Sequence, residues 1–151
     1  MTKEEKLLLI KDLSARLPYA VKVEHTSGFS GTLHDITVYH MYDENDNVYD
    51  AICSTDFFGD GDSIYIEYFK PYLFPLSSMT EEQKKELRQM DAFINTFGNI
   101  CFAMYDEYGH DIIPTYEDAI RITNWLNKNH FDYRGLIPLG LALDATGKNM
   151  S

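Results

Sequence analysis

Four groups of residues in this sequence have types and spacings that could do chemistry. Asp43-x-Asn45-x-Asn47 imitates the opening of a calcium-binding loop. Its sixth position is Val48 where the sharp turn needs glycine, and its twelfth is Ser54 where a bidentate glutamate belongs. It reads as a hairpin turn. Asp56, Asp60 and Asp62 stand on a glycine-punctuated loop and could gather a hard cation, although their spacing matches no established ligand pattern. His34 and His40 are expected on one strand face, with Cys53 on a neighbouring strand. Zinc would need a fourth ligand and tighter pairing, and there is no Cys-x-x-Cys or His-x-His. His130-Phe131-Asp132-Tyr133-Arg134-Gly135 packs acid, base and guanidinium together. It follows an expected helix end, where His130 favours the last carbonyls, Phe131 docks and Asp132 pairs or caps. Docking is the stronger reading.

Nothing in the sequence marks either thiol, Cys53 or Cys101, as an activated nucleophile. Glycine-rich phosphate loops, a P-loop lysine and a Gly-x-Ser-x-Gly elbow are all missing. A different pattern is more telling. From Glu24 through Phe69 the chain has no Lys or Arg, yet it carries ten Asp and Glu. Tyr39, Tyr42, Tyr49, Tyr65 and Tyr68 fall on or beside that acidic stretch. Tyrosine interleaved with carboxylate suits a protein-binding surface, and it also suits cross-strand packing within a sheet.

The elements that must hold these residues follow from periodicity. Thr2 with Glu5 predicts a capping box opening a helix to about Leu17, with Leu7, Leu8, Ile10, Leu13 and Leu17 on its apolar stripe and Pro18 beyond it. Alternation predicts strands over 20–25, 32–42, 48–54 and 63–68, joined by short turns. This antiparallel meander could be a small curled sheet or an SH3-like half-barrel. Phe69 to Thr80, with Pro71 and Pro75 among five large apolar side chains, reads as a strap that neither strand nor helix runs through. Beyond it, Ser78 with Glu81 and Thr80 with Gln83 both offer capping boxes. Leu87, Met90, Ile94 and Phe97 continue at helical spacing to a C-cap at Gly98. Ile100 to Tyr105 fits either a strand or a buried helical turn. Thr115 with Asp118 opens a further helix to about Asn129, burying Ala119, Ile122 and Leu126 or Trp125. The apolar segment from Phe131 to Leu143 must dock, and the last residues from Thr146 fray.

With 151 residues, 44% of them apolar and 14% aromatic, the chain is expected to be one α+β domain spanning 1–151. Its formal net charge of −11 disfavours direct contact with phosphate backbones and anionic lipid. No apolar run spans a bilayer, and the start lacks a signal peptide's apolar core, so a cytoplasmic location is expected.

Three segments carry a resemblance. Leu13 through Val23, Lys70 through Glu82 and Trp125 through Ile137 resemble short proteins encoded by prophage and mobile elements of gut anaerobes. They cover about a quarter of the chain. The family pattern places Arg where this chain has Phe74 and Gly where it has Ala20, so any role for a guanidinium in the strap is removed. The resemblance implies a mobile-element accessory protein and implies no chemistry.

The expectation is therefore a non-enzymatic accessory protein that works without a cofactor. It binds a basic or nucleic-acid-binding protein through Tyr42, Asp43, Glu44, Asp46, Tyr49 and Asp50. The rival is a small hydrolase or ligand- or metal-binding protein using the Asp56–Asp62 loop and nearby histidines.

Overall fold

A computed structural model describes residues 1–43, 46–56, 64–102, 108–110 and 114–148, with backbone alone at 41–43, 46–47 and 64. The architecture is α+β. The chain forms two compact units, residues 1–73 with 134–151 and residues 74–133, each taken by itself below.

The first unit opens with α1 (Lys3–Arg16). The Thr2 hydroxyl accepts from the Glu5 N–H at 3.0 Å, and the Glu5 carboxylate accepts from the Thr2 N–H at 2.9 Å. This reciprocal cap satisfies two donors that a helix start leaves open. The buried stripe is centred on Leu9, Leu13 and Arg16, with Ile10 and Asp12 beside it. Leu7 and Leu8 are only partly covered, because an unbroken run of four apolar residues leaves the helical phase undetermined.

Strands β1 (Lys22–His25), β2 (Ser30–Asp43), β3 (Asp46–Thr55) and β4 (Ile64–Tyr65) form the expected antiparallel meander. Two further strands, β5 (Phe69–Leu73) and β8 (Leu143–Asp144), extend it to six in the order β4-β3-β2-β1-β5-β8. The strap is thus corrected in its first half, since a strand does run through Pro71. That proline pairs with Val23 of β1, and β8 begins pairing only at Tyr72, after the position that lacks a donor. The fourth strand is also shorter than expected, because Ile66–Tyr68 tighten into a 3₁₀ turn.

Leu9, Leu13, Val21, Val23, Leu33, Cys53, Ile66, Phe69 and Leu73 make the core, closed by Leu136, Leu141 and Ala142 from the far end of the chain. The C-terminal segment does dock. Arg134 Nη1 donates to Asp12 Oδ1 at 2.9 Å, and the Ala145 N–H donates to the Leu73 carbonyl at 2.8 Å. Lys148 is not frayed either: its Nζ lies 3.1 Å from the Tyr72 hydroxyl and 4.2 Å from the centre of that ring.

The second unit holds α2 (Glu81–Gln89), a hairpin of β6 (Ala92–Ile94) and β7 (Ile100–Phe102), and α3 (Tyr116–Lys128). Of the two capping boxes on offer, Thr80 with Gln83 forms, while Ser78 bonds back to Pro75. Helix α2 ends eight residues before Phe97, which corrects the longer helix. The Asn95 side chain accepts from the N–H groups of Phe97 and Asn99 at 3.0 and 2.9 Å, and Gly98 sits at φ 81°. Such local bonds compete with helix formation, and here they win. Phe97 is 87% exposed at the turn rather than in the core. Helix α3 is capped by Thr115 and Asp118 and buries Ile122 and Leu126 beside Met79, Leu87 and Phe131.

Candidate functional site

The β2–β3 ribbon carries most of the expected contact residues. Its register runs from Asp35↔Ser54 through Tyr39↔Asp50 and His40↔Tyr49 to Asp43↔Asp46. Both flanks of the calcium-like Asp43–Asn47 pattern are therefore committed to the ladder, while Glu44 and Asn45 lie outside the described residues. Thr37, Val38, Tyr39 and His40 are all exposed, so both sides of the pleat face water there. Val38 is 45% exposed, Tyr39 46% and Tyr49 38%. Directly opposite one another, His40 and Tyr49 stack with ring centres 4.6 Å apart. The contact residues hold different places in this ribbon. Tyr42, Asp43 and Asp46 lie in paired strand, where the structure describes backbone alone, and Glu44 lies outside the described residues.

Asp50 turns out to be engaged within the fold. Its Oδ1 accepts from the Ala51 N–H at 2.8 Å, and its Oδ2 stands 3.6 Å from Lys6 Nζ of α1. Lys6 is also 3.7 Å from Glu67. The pleat sends neighbouring residues to opposite sides, so Tyr49 and Asp50 do not share a surface. Two more of the ten acids have internal partners. Glu24 accepts from the hydroxyl of the buried Tyr72, and Asp56 pairs with His34.

The rival site is partly assembled. A bulge between Leu33 and Asp35 lifts His34 out of the ladder, so it does not share the face of Ile36 and His40 as expected. His34 Nε2 instead bonds Asp56 Oδ1, and Asp56 Oδ2 accepts from the Thr32 N–H at 3.2 Å. The Thr32 N–H, then the His34 bond, hold the Asp56 carboxyl below its usual range. Asp60 and Asp62 lie outside the described residues. Among the described residues no three potential ligands gather around a common point.

The two thiols sit in different settings. Cys53 is wholly buried, and burial, aided by the nearby Asp35 charge, pushes its thiol up to about 12. Cys101 is half-buried and takes a weak bond from Asn95 Nδ2 at 3.3 Å. The His130–Gly135 string is occupied with docking. His130 stands at φ 59° just past α3, and Phe131 is buried. The Asp132 N–H donates to the Phe74 carbonyl at 2.8 Å, and the Tyr133 hydroxyl donates to Asn127 at 2.9 Å.

Sequence reading missed the most buried charges among the described residues. Asp12 and Arg16 are both fully buried, joined by bonds of 2.8 and 3.0 Å, and Arg134 completes the cluster. Their spacing of four within an apolar helix face was the available signal.

No helix among the described residues is long and apolar enough to cross a membrane. Comparison with protein-family models, curated proteins and solved structures returned no match.

Proposed function

We propose that this chain is a non-enzymatic accessory protein that binds a basic protein partner through the distal β2–β3 ribbon. The observation that carries this reading is the pairing of charge with exposure. The ribbon presents Val38, Tyr39 and Tyr49 to water, inside a stretch without a single Lys or Arg. Tyrosine offers large contact area at low entropic cost, and a one-sign surface speeds encounter with an opposite charge. Service to a phage or other mobile element rests on the resemblance of the segments around Pro18, Pro71 and Phe131. The engaged state of Asp50 and Glu24 narrows the contact surface to the ribbon's outer end.

The test is capture by tagged protein from a lysate of the source cells at low and high salt. The triple variant Asp43→Asn, Glu44→Gln, Asp46→Asn serves as control, with Asp50 left intact because it is structural. A partner held at low salt should be released at high salt and should not be captured by the triple variant. Capture that ignores both changes removes the proposal.

A second reading, a hydrolase or ligand binder at the loop after Asp56, draws support from the His34–Asp56 pair. A carboxylate that fixes one imidazole nitrogen leaves the other available as a base. A small molecule or metal retained through purification, and lost in His34→Gln, would favour it.

A further inference from the structure

The outer edge of β3 deepens the proposed binding role by suggesting how a partner would engage. Strand β4 pairs with β3 only at Ile52 and Cys53. Below that point β3 continues from Asp46 to Ala51, and among the described residues no strand lies on its outer side. The Ala51 N–H is taken by the Asp50 side chain rather than by β2. In an antiparallel ladder, residues two apart point their backbone groups the same way. Asn47 and Tyr49 therefore turn their N–H and C=O groups outward with Ala51.

Natural sheets blunt such edges to prevent unwanted pairing. Here the blunting is local. Asp50, steadied by Lys6 at 3.6 Å, covers the donor at Ala51, and no described residue bonds those of Asn47 and Tyr49 on that side. The stacked rings of Tyr49 and His40 give the same stretch an aromatic platform for alternate side chains of an added strand.

We propose that a partner adds a strand to β3 along Asn47–Tyr49, and that this strand carries lysine or arginine at alternate positions. The charge requirement follows from the surrounding sequence, which holds ten acids and no Lys or Arg between Lys22 and Lys70. The same charge excess argues against a second copy of this chain as the occupant, because two such edges would repel one another. The inference rests on the proposed function. It adds main-chain pairing as the mode of contact.

The experiment uses the full chain and, as probe, a synthetic eight-residue peptide of alternating valine and lysine at low salt. Two changes then test the mode: the same peptide N-methylated at alternate residues, and the protein variant Asn47→Pro. Proline is tolerated where an N–H faces away from the ladder, so the variant keeps the β2 pairing. The expected result is slowed amide exchange at Asn47 and Tyr49 in the complex. Affinity should fall at least tenfold with one set of N-methyl groups and at least tenfold for Asn47→Pro. Equal binding of plain and methylated peptides, or of parent and variant, overturns strand addition and leaves the acidic-ribbon reading standing. No binding of the plain peptide by the parent overturns both.

Discussion

Arg134 donates a 2.9 Å hydrogen bond to the carboxylate of Asp12, which stands 122 residues earlier in the chain. Arg16 holds the same carboxylate from within α1, at 2.8 and 3.0 Å. Two guanidinium groups thus converge on one acid that water does not reach. Desolvation offsets much of what a buried ion pair gains, but removing one member leaves the others uncompensated.

Asp12→Ala should therefore destabilise the protein by about 3–5 kcal/mol. Arg134→Met should cost less, about 1–2 kcal/mol, because that guanidinium is partly exposed and Asp12 keeps Arg16. Urea unfolding of both single variants and the double variant gives the coupling between them. A double variant whose loss equals the sum of the singles would mean that Asp12 and Arg134 do not act together.

Acid should weaken the fold through carboxylates that the native state holds low. The Asp56 carboxyl is kept below its ordinary 3.8 first by the Thr32 N–H, then by His34. A depressed native pKa means that the unfolded chain binds the proton more readily. Its contribution is complete above the unfolded pKa and is lost as pH falls through the native one. Asp118 and Asp144 are held low too, by bonds from Thr115 and Thr146. Carbon-detected titration should place Asp56 below 3.8. His34→Gln should raise it only part of the way, since the larger cause remains.

The two cysteines should separate cleanly in a thiol-labelling experiment. Cys53 is buried, with its thiol at about 12, whereas Cys101 is only half-buried on β7. At mildly alkaline pH, Cys101 should react in the native protein, and Cys53 only after denaturant is added. Rapid modification of Cys53 in the folded state would contradict its place in the core.

The turn between β6 and β7 should depend on its backbone and not on its largest side chain. Phe97→Ala should change stability by less than about 0.5 kcal/mol, because the ring is 87% exposed. Gly98→Ala should cost about 1 kcal/mol, since φ is 81° there and an added Cβ meets nothing. Thermal unfolding of the two variants decides the ranking.

Ala20 presents the reverse case. It stands at φ 54°, ψ 51°, in the left-handed region that glycine enters freely. Relief of that strain outweighs glycine's greater unfolded entropy only modestly, so Ala20→Gly should raise stability by about 0.5 kcal/mol. A lower denaturation midpoint for this variant would show that the strain is already relaxed.

What could be read from the sequence was whatever short-range chemistry decides. The capping pairs Thr2–Glu5 and Thr115–Asp118 both form as their spacing requires. The meander was legible because alternation over β2 and β3 has one meaning. Failures came where two local rules competed or where distant residues decide. Ile94 and Phe97 keep helical spacing from Leu87, but the Asn95 side chain offers the backbone a turn instead. Pro71 reads as a strand breaker until it is known where β8 begins its pairing. At the candidate site the acidic tyrosine stretch was visible, yet the engagement of Asp50 by Ala51 and Lys6 was not. Neither was the His34–Asp56 pair, which depends on a bulge that no residue type announces.

The first unit is made of two stretches of chain, and the second lies wholly between them. During synthesis, residues 74–133 therefore emerge complete while the earlier residues still lack Leu136, Leu141, Ala142 and β8. Arg134, the third member of the Asp12–Arg16 cluster, is also supplied only after that stretch. Closure of the first unit therefore has to wait for residues made after the whole of the second.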